Sequence, residues 1–162
     1  MKSRSARGKA GPTRPAPIAI AWLGRPRPLS DAKARKVARA ALRLGKRAGA
    51  PLSLVFVDDR TLARMHGRWL GDSRPTDVIS FDLGNGGRGP VGELYISVQR
   101  AVRVARERGV PAERELALYI AHGCLHLCGF DDHSTHDRRA MRVAERSVLA
   151  ELGFADDPNA FE

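Results

Sequence analysis

The spacing of apolar positions changes several times along the chain, and each change predicts the start of a strand or a helix. Short apolar runs bounded by Pro, Gly or charged residues predict four strands, at about 18–23, 52–57, 78–81 and 91–98. Apolar positions three and four residues apart predict five helices, at about 31–48, 60–68, 99–108, 112–128 and 135–152. This order of elements indicates an α+β or α/β sandwich with four strands.

Two of the predicted helices have a clear apolar face. The first should bury a stripe formed by Ala34, Val37, Ala38, Ala41 and Leu42. Its other side carries a basic row formed by Lys36, Arg39, Arg43, Lys46 and Arg47. The last helix should bury Ala140, Met141, Ala144, Val148 and Leu152.

The length of 162 residues fits a single domain with a substantial core. No apolar run approaches the roughly 18–20 residues that span a membrane, and the run at 18–23 is too short for a signal-peptide core. We therefore expect a cytoplasmic protein without a membrane partner. Cys124 and Cys128 lie on a different helix face from the neighbouring histidines, so we expect buried thiols rather than a disulfide.

The net charge of +10 is concentrated at the start of the chain. Residues 1–47 hold fourteen Lys or Arg and one acid, whereas the remainder holds fourteen Lys or Arg and seventeen acids. A basic front end on a weakly acidic body indicates a polyanionic partner, RNA or DNA by default. Residues 1–17 are basic, rich in Pro, Gly and Ser, and predicted to form a disordered tail.

Candidate metal ligands cluster between residues 122 and 133. His122 and His126 are four residues apart, which places both rings on one helix face. Gly129 can end this helix in a left-handed conformation and turn the chain back, so that Asp132 or His133 reaches the same point. Three such ligands suit a single zinc ion with an open fourth position, the arrangement of catalytic sites.

The residue after His122 argues against ordinary protease chemistry. Metalloproteases with an H-E-x-x-H helix use the glutamate as general base, but Gly123 occupies that position here. Proton transfer would then fall to Asp77, or to whichever of Asp131 and Asp132 is not a metal ligand. Arginines near the predicted third strand are candidates for binding phosphate groups and developing charge, namely Arg68 and Arg74.

Three motifs together resemble the YbeY family of bacterial metal-dependent endoribonucleases. They are His122-Gly-x-Leu-His126-Leu-x-Gly129-Phe, Pro75-Thr-Asp77-Val-Ile-Ser-Phe81 and Gly92-Glu-Leu-Tyr-Ile-Ser97, followed by Met141-x-x-x-Glu145. The resemblance covers nearly all of residues 18–153, which leaves 154–162 as a short C-terminal tail. It implies an α+β fold with a mixed four-stranded sheet and a zinc ion held by three side chains. It also implies cleavage of single-stranded RNA, maturation of the 16S rRNA 3′ end in the small ribosomal subunit, and ribosome quality control.

The chain departs from the family pattern at two positions. The family commonly has a histidine as third ligand where this chain has Asp132, and the ungapped distance from Gly129 to Met141 favours Asp132 over His133, with His136 a further alternative. The family often has an arginine where this chain has Leu70. A non-catalytic RNA- or ribosome-binding assembly factor with a structural metal is therefore the competing hypothesis, and a peptide hydrolase is a third. The sequence leaves the oligomeric state open.

Overall fold

The computed structural model describes residues 18–71, 76–84 and 92–157. The strands are β1 (Ile18–Trp22), β2 (Leu52–Val57), β3 (Val78–Asp82) and β4 (Gly92–Ser97). The helices are α1 (Asp31–Leu44), α2 (Asp59–Leu70), α3 (Val98–Arg108), α4 (Ala112–Leu127) and α5 (Thr135–Glu151). The predicted tail at 1–17 lies outside the described residues, as do residues 158–162 of the predicted C-terminal tail.

The four strands form one mixed sheet in the order β1-β2-β4-β3. β1, β2 and β4 are parallel, with Leu54 of β2 beside Leu94 of β4, and β3 runs antiparallel to β4 at the edge of the sheet. The two parallel neighbours of β2 are each reached through a connection that contains helix, as parallel pairing requires. The predicted α+β fold, with a mixed four-stranded sheet and five helices in a single domain, is confirmed.

Both faces of the sheet are covered, because successive side chains of β2 point to opposite sides. Leu54 and Phe56 lie in the larger core cluster with α1, α4 and α5. Val55 and Val57 lie in a smaller cluster on the other face, closed by α2. Among the described residues, no helix has the length and apolar character needed to cross a membrane.

Helix α4 runs through the middle of the larger core and is buried on most sides. Eleven of its residues are buried, including Cys124, while Cys128 just beyond it is half-buried. Both thiols are free, and burial raises the pKa of the Cys124 thiol. The expectation that the cysteines face the core is confirmed.

Two details of the helices differ from the sequence prediction. α1 ends at Leu44 instead of continuing to residue 48, because the chain turns at Gly45 to pack against Cys128. A Cβ atom at Gly45 would lie 2.4 Å from the Cys128 side chain, so this close approach requires glycine. On α5, Ala140 is exposed instead of buried; the buried stripe consists of Met141, Ala144, Val148 and Leu149.

Candidate metal centre

The end of helix α4 reverses the chain directly after the second histidine. Gly129 has a φ of +93°, in the left-handed region, as predicted. The N–H of Gly129 donates to the carbonyl of His126 at 3.0 Å, and that of Phe130 donates to the carbonyl of Leu125 at 3.1 Å. This pair of hydrogen bonds is the Schellman motif, and the turn it makes brings Asp132 back towards His122.

The structure brings together three of the predicted metal ligands. His122 Nε2 lies 3.0 Å from His126 Nε2. Asp132 Oδ2 lies 3.7 Å from His122 Nε2 and 3.6 Å from His126 Nε2. These three atoms form a nearly equilateral triangle, and the side chain of Asp132 is 43% exposed, so one side of the triangle faces solvent.

The dimensions of this triangle fit a zinc ion. With zinc–ligand bonds of roughly 2.0–2.1 Å, tetrahedral geometry places neighbouring ligand atoms about 3.3 Å apart. The three observed separations lie on either side of that value. Two imidazoles and one carboxylate are also ligands that zinc accepts in catalytic sites, where a fourth position stays open.

His133 and His136 lie apart from this triangle. The His133 side chain is 85% exposed, and its Nδ1 hydrogen-bonds to Asp131. His133 belongs instead to an exposed group with Asp131 and Asp132 that also has metal-ligand spacing. His136 is exposed on α5, beside Arg139. The geometry therefore supports Asp132 as the third ligand.

Glu145 holds the ring of His122 from behind. Its Oε1 lies 2.6 Å from His122 Nδ1, which leaves Nε2 directed towards His126 and Asp132. A carboxylate bonded to the far nitrogen of a metal-binding histidine fixes the orientation of its ring and raises its basicity. Burial lowers the pKa of His122, but the Glu145 hydrogen bond and the charges of Glu145, Asp77 and Asp132 outweigh burial, so the pKa is raised.

Gly123 lies where α4 packs closely on the sheet. A Cβ atom at this position would lie 2.9 Å from Leu94 Cδ1 and 3.1 Å from Val78 Cγ2. The Ser80 hydroxyl also donates to the Gly123 carbonyl at 3.3 Å. A side chain at position 123, where the proteases carry their glutamate, would therefore point towards the sheet. It could not reach the three candidate metal ligands.

The three candidate metal ligands lie at a groove of about 530 Å³ beside the edge strand β3. The walls are His66 and Leu70 from α2, residues 76–80 and Asp82 from β3 and its approach, and His122, His126, Leu127, Asp132 and His133. Asp77 lines this groove and also a second cavity of about 190 Å³ on the far side of His122. Its Oδ1 accepts a hydrogen bond from the Val78 N–H at 3.0 Å, which orients the carboxylate beside the candidate metal ligands.

The two predicted phosphate-binding arginines have different outcomes. Arg68 is exposed in the last turn of α2, and its guanidinium carbon lies 5.6 Å from the centre of the Trp69 ring. The α2 residues that line the groove are His66 and Leu70, so Arg68 lies beside the groove and not in it. Arg74 lies outside the described residues.

A second group of charged side chains is buried near the start of α4. Glu115 is 1% exposed, and Arg108 Nη1 lies 3.6 Å from both Glu115 Oε1 and Asp157 Oδ2. Arg114 Nε donates to the Ala155 carbonyl at 2.7 Å, which holds the chain after α5 against the domain. Burial raises the pKa of Glu115 despite the opposing charges of Arg108 and Arg114.

Sequence reasoning missed the role of Glu145 and the presence of His66 in the groove. Glu145 was part of a matched motif, but its local sequence does not indicate that it hydrogen-bonds to His122, 23 residues earlier. One signal was present: Glu145 follows the buried Met141 by four residues, so a carboxylate lies on the apolar stripe of α5. An acid in that position requires a buried polar partner.

The fold and this cluster define an α+β domain with a candidate metal centre on an H-x-x-x-H helix. The family model described as Endoribonuclease YbeY matches residues 27–153. The chain is also similar to proteins named Endoribonuclease YbeY from Methylocella silvestris, with 42% identity over 117 residues, and from Symbiobacterium thermophilum, with 37% identity over 133 residues. The chain belongs to the YbeY family.

The extent of these similarities differs between relatives. The Methylocella alignment covers 68% of this chain and 64% of that protein, slightly under two thirds of its length. The Symbiobacterium alignment covers 75% of this chain and 85% of that protein. The solution structure of TM1509 from Thermotoga maritima matches 88% of this chain and 98% of its own, with a TM-score of 0.56 and 23% identity, and so supports the fold.

Proposed function

We propose that this protein is a zinc-dependent endoribonuclease that cleaves single-stranded RNA. The observation that carries the proposal is the triangle of His122, His126 and Asp132, which has the dimensions of a zinc site and opens into a groove. Relatives at 37–42% identity carry the name endoribonuclease, which favours RNA over other hydrolysable polymers. The position of Gly123 disfavours the peptide-hydrolase alternative.

In this proposal a zinc ion held by His122, His126 and Asp132 would supply Lewis acidity and lower the pKa of water towards neutrality. Glu145 keeps the His122 ring in the orientation that binds metal. Asp77 accepts the proton from the attacking water, since its carboxylate lines the groove next to the ligands. Arg68 and Arg74 are the residues proposed to bind the phosphate groups of the RNA and the charge that develops on them.

The proposed natural substrate is precursor rRNA of the small ribosomal subunit, with cleavage at the 3′ end of 16S rRNA and a part in ribosome quality control. The family relationship and the excess of basic residues at the start of the chain support this substrate. We place the activity in the cytoplasm, where rRNA is processed in bacteria and where free cysteines such as Cys124 and Cys128 persist.

The first test joins metal analysis to a cleavage assay. His126→Ala and Asp132→Ala should each lose bound zinc and lose cleavage of an unstructured RNA by at least about 100-fold, because each removes one of three ligands. His136→Ala is the matched control, since it removes an exposed imidazole that does not line the groove, and it should retain both properties. Equal cleavage by wild type and His126→Ala would disprove the proposal.

The competing function is a ribosome- or RNA-binding assembly factor with a structural metal. One observation favours it: Leu70 lines the groove at the position of the family arginine, so no guanidinium group is available at that position. Under this hypothesis the zinc-loaded protein binds small ribosomal subunits but leaves RNA intact. Single-turnover cleavage with excess loaded protein separates the two functions, because a true enzyme yields product under those conditions.

The basic side of α1 is the proposed electrostatic surface for RNA binding. Lys36, Arg39, Arg43 and Lys46 are exposed, whereas Arg47 is partly buried and donates to the Leu127 carbonyl at 2.6 Å. Neutralising the four exposed residues should flatten the plot of log affinity against log salt by about 0.7 for each RNA phosphate that the protein then leaves unneutralised. Neutralising four exposed arginines on α5, namely Arg138, Arg139, Arg142 and Arg146, removes the same number of charges and controls for net charge. An unchanged slope in the α1 variant would exclude this surface.

A further inference from the structure

Helix α2 carries its apolar stripe beyond the edge of the sheet. Leu62, Met65 and Trp69 are spaced at i, i+3 and i+7, which places them on one helix face. Leu62 is buried and Met65 packs with it against the sheet, but the Trp69 side chain is 63% exposed. The large ring at the end of this stripe therefore has surface available for a partner.

Trp69 is adjacent in the chain to a residue that lines the groove with the candidate metal ligands, although its own ring is not part of the groove wall. His66 and Leu70, one turn apart on α2, form part of the groove wall, and Trp69 immediately precedes Leu70. The helix ends here, because Gly71 adopts a left-handed conformation with a φ of +67°. The ring therefore lies close to one wall of the groove, where it is available to a polymer strand that extends past that wall.

Arg68 gives the ring a cationic neighbour. Its guanidinium carbon lies 5.6 Å from the centre of the Trp69 ring, within the range of a cation–π contact. An exposed aromatic ring next to an arginine is the combination that single-strand binders use, with a base stacked on the ring and a phosphate near the cation. The groove also offers uncharged hydrogen-bonding side chains to a polar polymer, because Thr76 and Ser80 are among its lining residues.

We propose that Trp69 is a base-stacking platform that binds one nucleotide of single-stranded RNA beside the groove. The inference rests on the proposed function and adds a reason for strand selectivity. A base in a duplex has both faces covered by its neighbours, so a stacking ring binds unpaired nucleotides. Since every base has a stacking face, the platform contributes affinity with little sequence preference.

The test measures RNA binding without cleavage. Zinc-free full-length protein is titrated into a fluorescein-labelled oligoadenylate, and affinity is read from fluorescence anisotropy. Trp69→Ala should bind roughly 5- to 100-fold more weakly than wild type, and Trp69→Phe should recover most of the loss. Leu23→Ala is the matched control, because it also truncates an exposed apolar side chain. Thermal melting should show little change in any of these variants, since the replaced side chains are exposed.

A second measurement follows the ring itself. The chain has two tryptophans, and Trp22 stacks on Phe56 with its Nε1 bonded to Asp31, so Trp22→Phe leaves Trp69 as the reporter. Its fluorescence should be quenched by oligoadenylate and unaffected by an equal concentration of duplex RNA. Unchanged affinity in Trp69→Ala, absent quenching, or no binding by wild type would overturn the proposal. Binding that depends on Trp69 in a protein that does not cleave RNA would uphold the platform and refute the nuclease.

Discussion

The two ends of helix α4 both place polar side chains in the core, but they do so in different ways. Near the start of the helix, Arg114 and Glu115 are almost fully buried. Near its end, His122 and His126 are partly exposed and face the groove. The same helix thus carries a closed ionic cluster and an open cluster of candidate metal ligands.

The hydrogen bonding of the two ends differs as well. Among the described residues, Arg114 Nη1 and Glu115 Oε2 have no hydrogen-bond partner, although both atoms are buried. His122, by contrast, has Nδ1 bonded to Glu145 and Nε2 facing His126 and Asp132. The first cluster bears an energetic cost and joins α3, α4 and the chain after α5, whereas the second has its ligand atoms already oriented. Burial of charge alone therefore does not identify a functional site in this protein.

The largest effect is expected at the open end, between the two histidines. Gly123→Glu should lower the free energy of unfolding by at least about 3 kcal/mol, because the new side chain meets Leu94 and Val78 and buries a charge. Urea unfolding measures the loss. Val143→Glu, at an exposed apolar position on α5, is the control and should stay within about 0.5 kcal/mol of wild type. A stable Gly123→Glu protein with peptidase activity would contradict the packing argument.

The next effect sharpens the contrast at the open end. Glu145→Ala should weaken zinc binding roughly 10- to 100-fold, because His122 loses the carboxylate that orients its ring. Competition with a fluorescent zinc chelator provides the measurement. Glu151→Ala is the matched control on the same helix, since Glu151 forms a surface ion pair with Arg43 and should leave zinc affinity unchanged. Equal zinc affinity in Glu145→Ala and wild type would show that the ring needs no such support.

The smallest effect concerns the closed end and its dependence on pH. Because burial raises the pKa of Glu115, the folded state binds a proton more tightly than the unfolded chain does. This contribution to stability is present at low pH and is lost as pH rises from the ordinary glutamate pKa to the raised value. Glutamine does not titrate, so the stability of Glu115→Gln relative to wild type should increase as pH rises through this range. At low pH the free energies of unfolding of the two proteins should differ by about 1 kcal/mol or less.

Zinc affinity separates the two ends in the same variant. Glu115→Gln should bind zinc as wild type does, because Glu115 is not one of the three candidate ligands. Denaturant unfolding at a series of pH values measures how the stability difference between Glu115→Gln and wild type changes with pH. A parallel pH dependence in both proteins would show that Glu115 is not the group responsible.

The sequence was sufficient where local rules decide the structure. The apolar periods located each strand and helix of the described residues, and the spacing of His122, His126 and Gly129 predicted a turn that returns Asp132 or His133 to the histidines. Contacts between residues far apart in the chain could not be predicted from the sequence patterns. The early end of α1 depends on Gly45 meeting Cys128, and the orientation of His122 depends on Glu145. Each of these pairs is brought together only by tertiary packing.

The three candidate ligands all belong to residues 122–132. An ion bound there closes a very short loop, and short loops remove little conformational freedom from an unfolded chain. The same proximity lets the unfolded segment bind zinc as well, which reduces how much the ion favours the folded state. If the proposed zinc site is correct, chelation should therefore abolish RNA cleavage at chelator concentrations that leave the domain folded, because such an ion serves the reaction more than the fold.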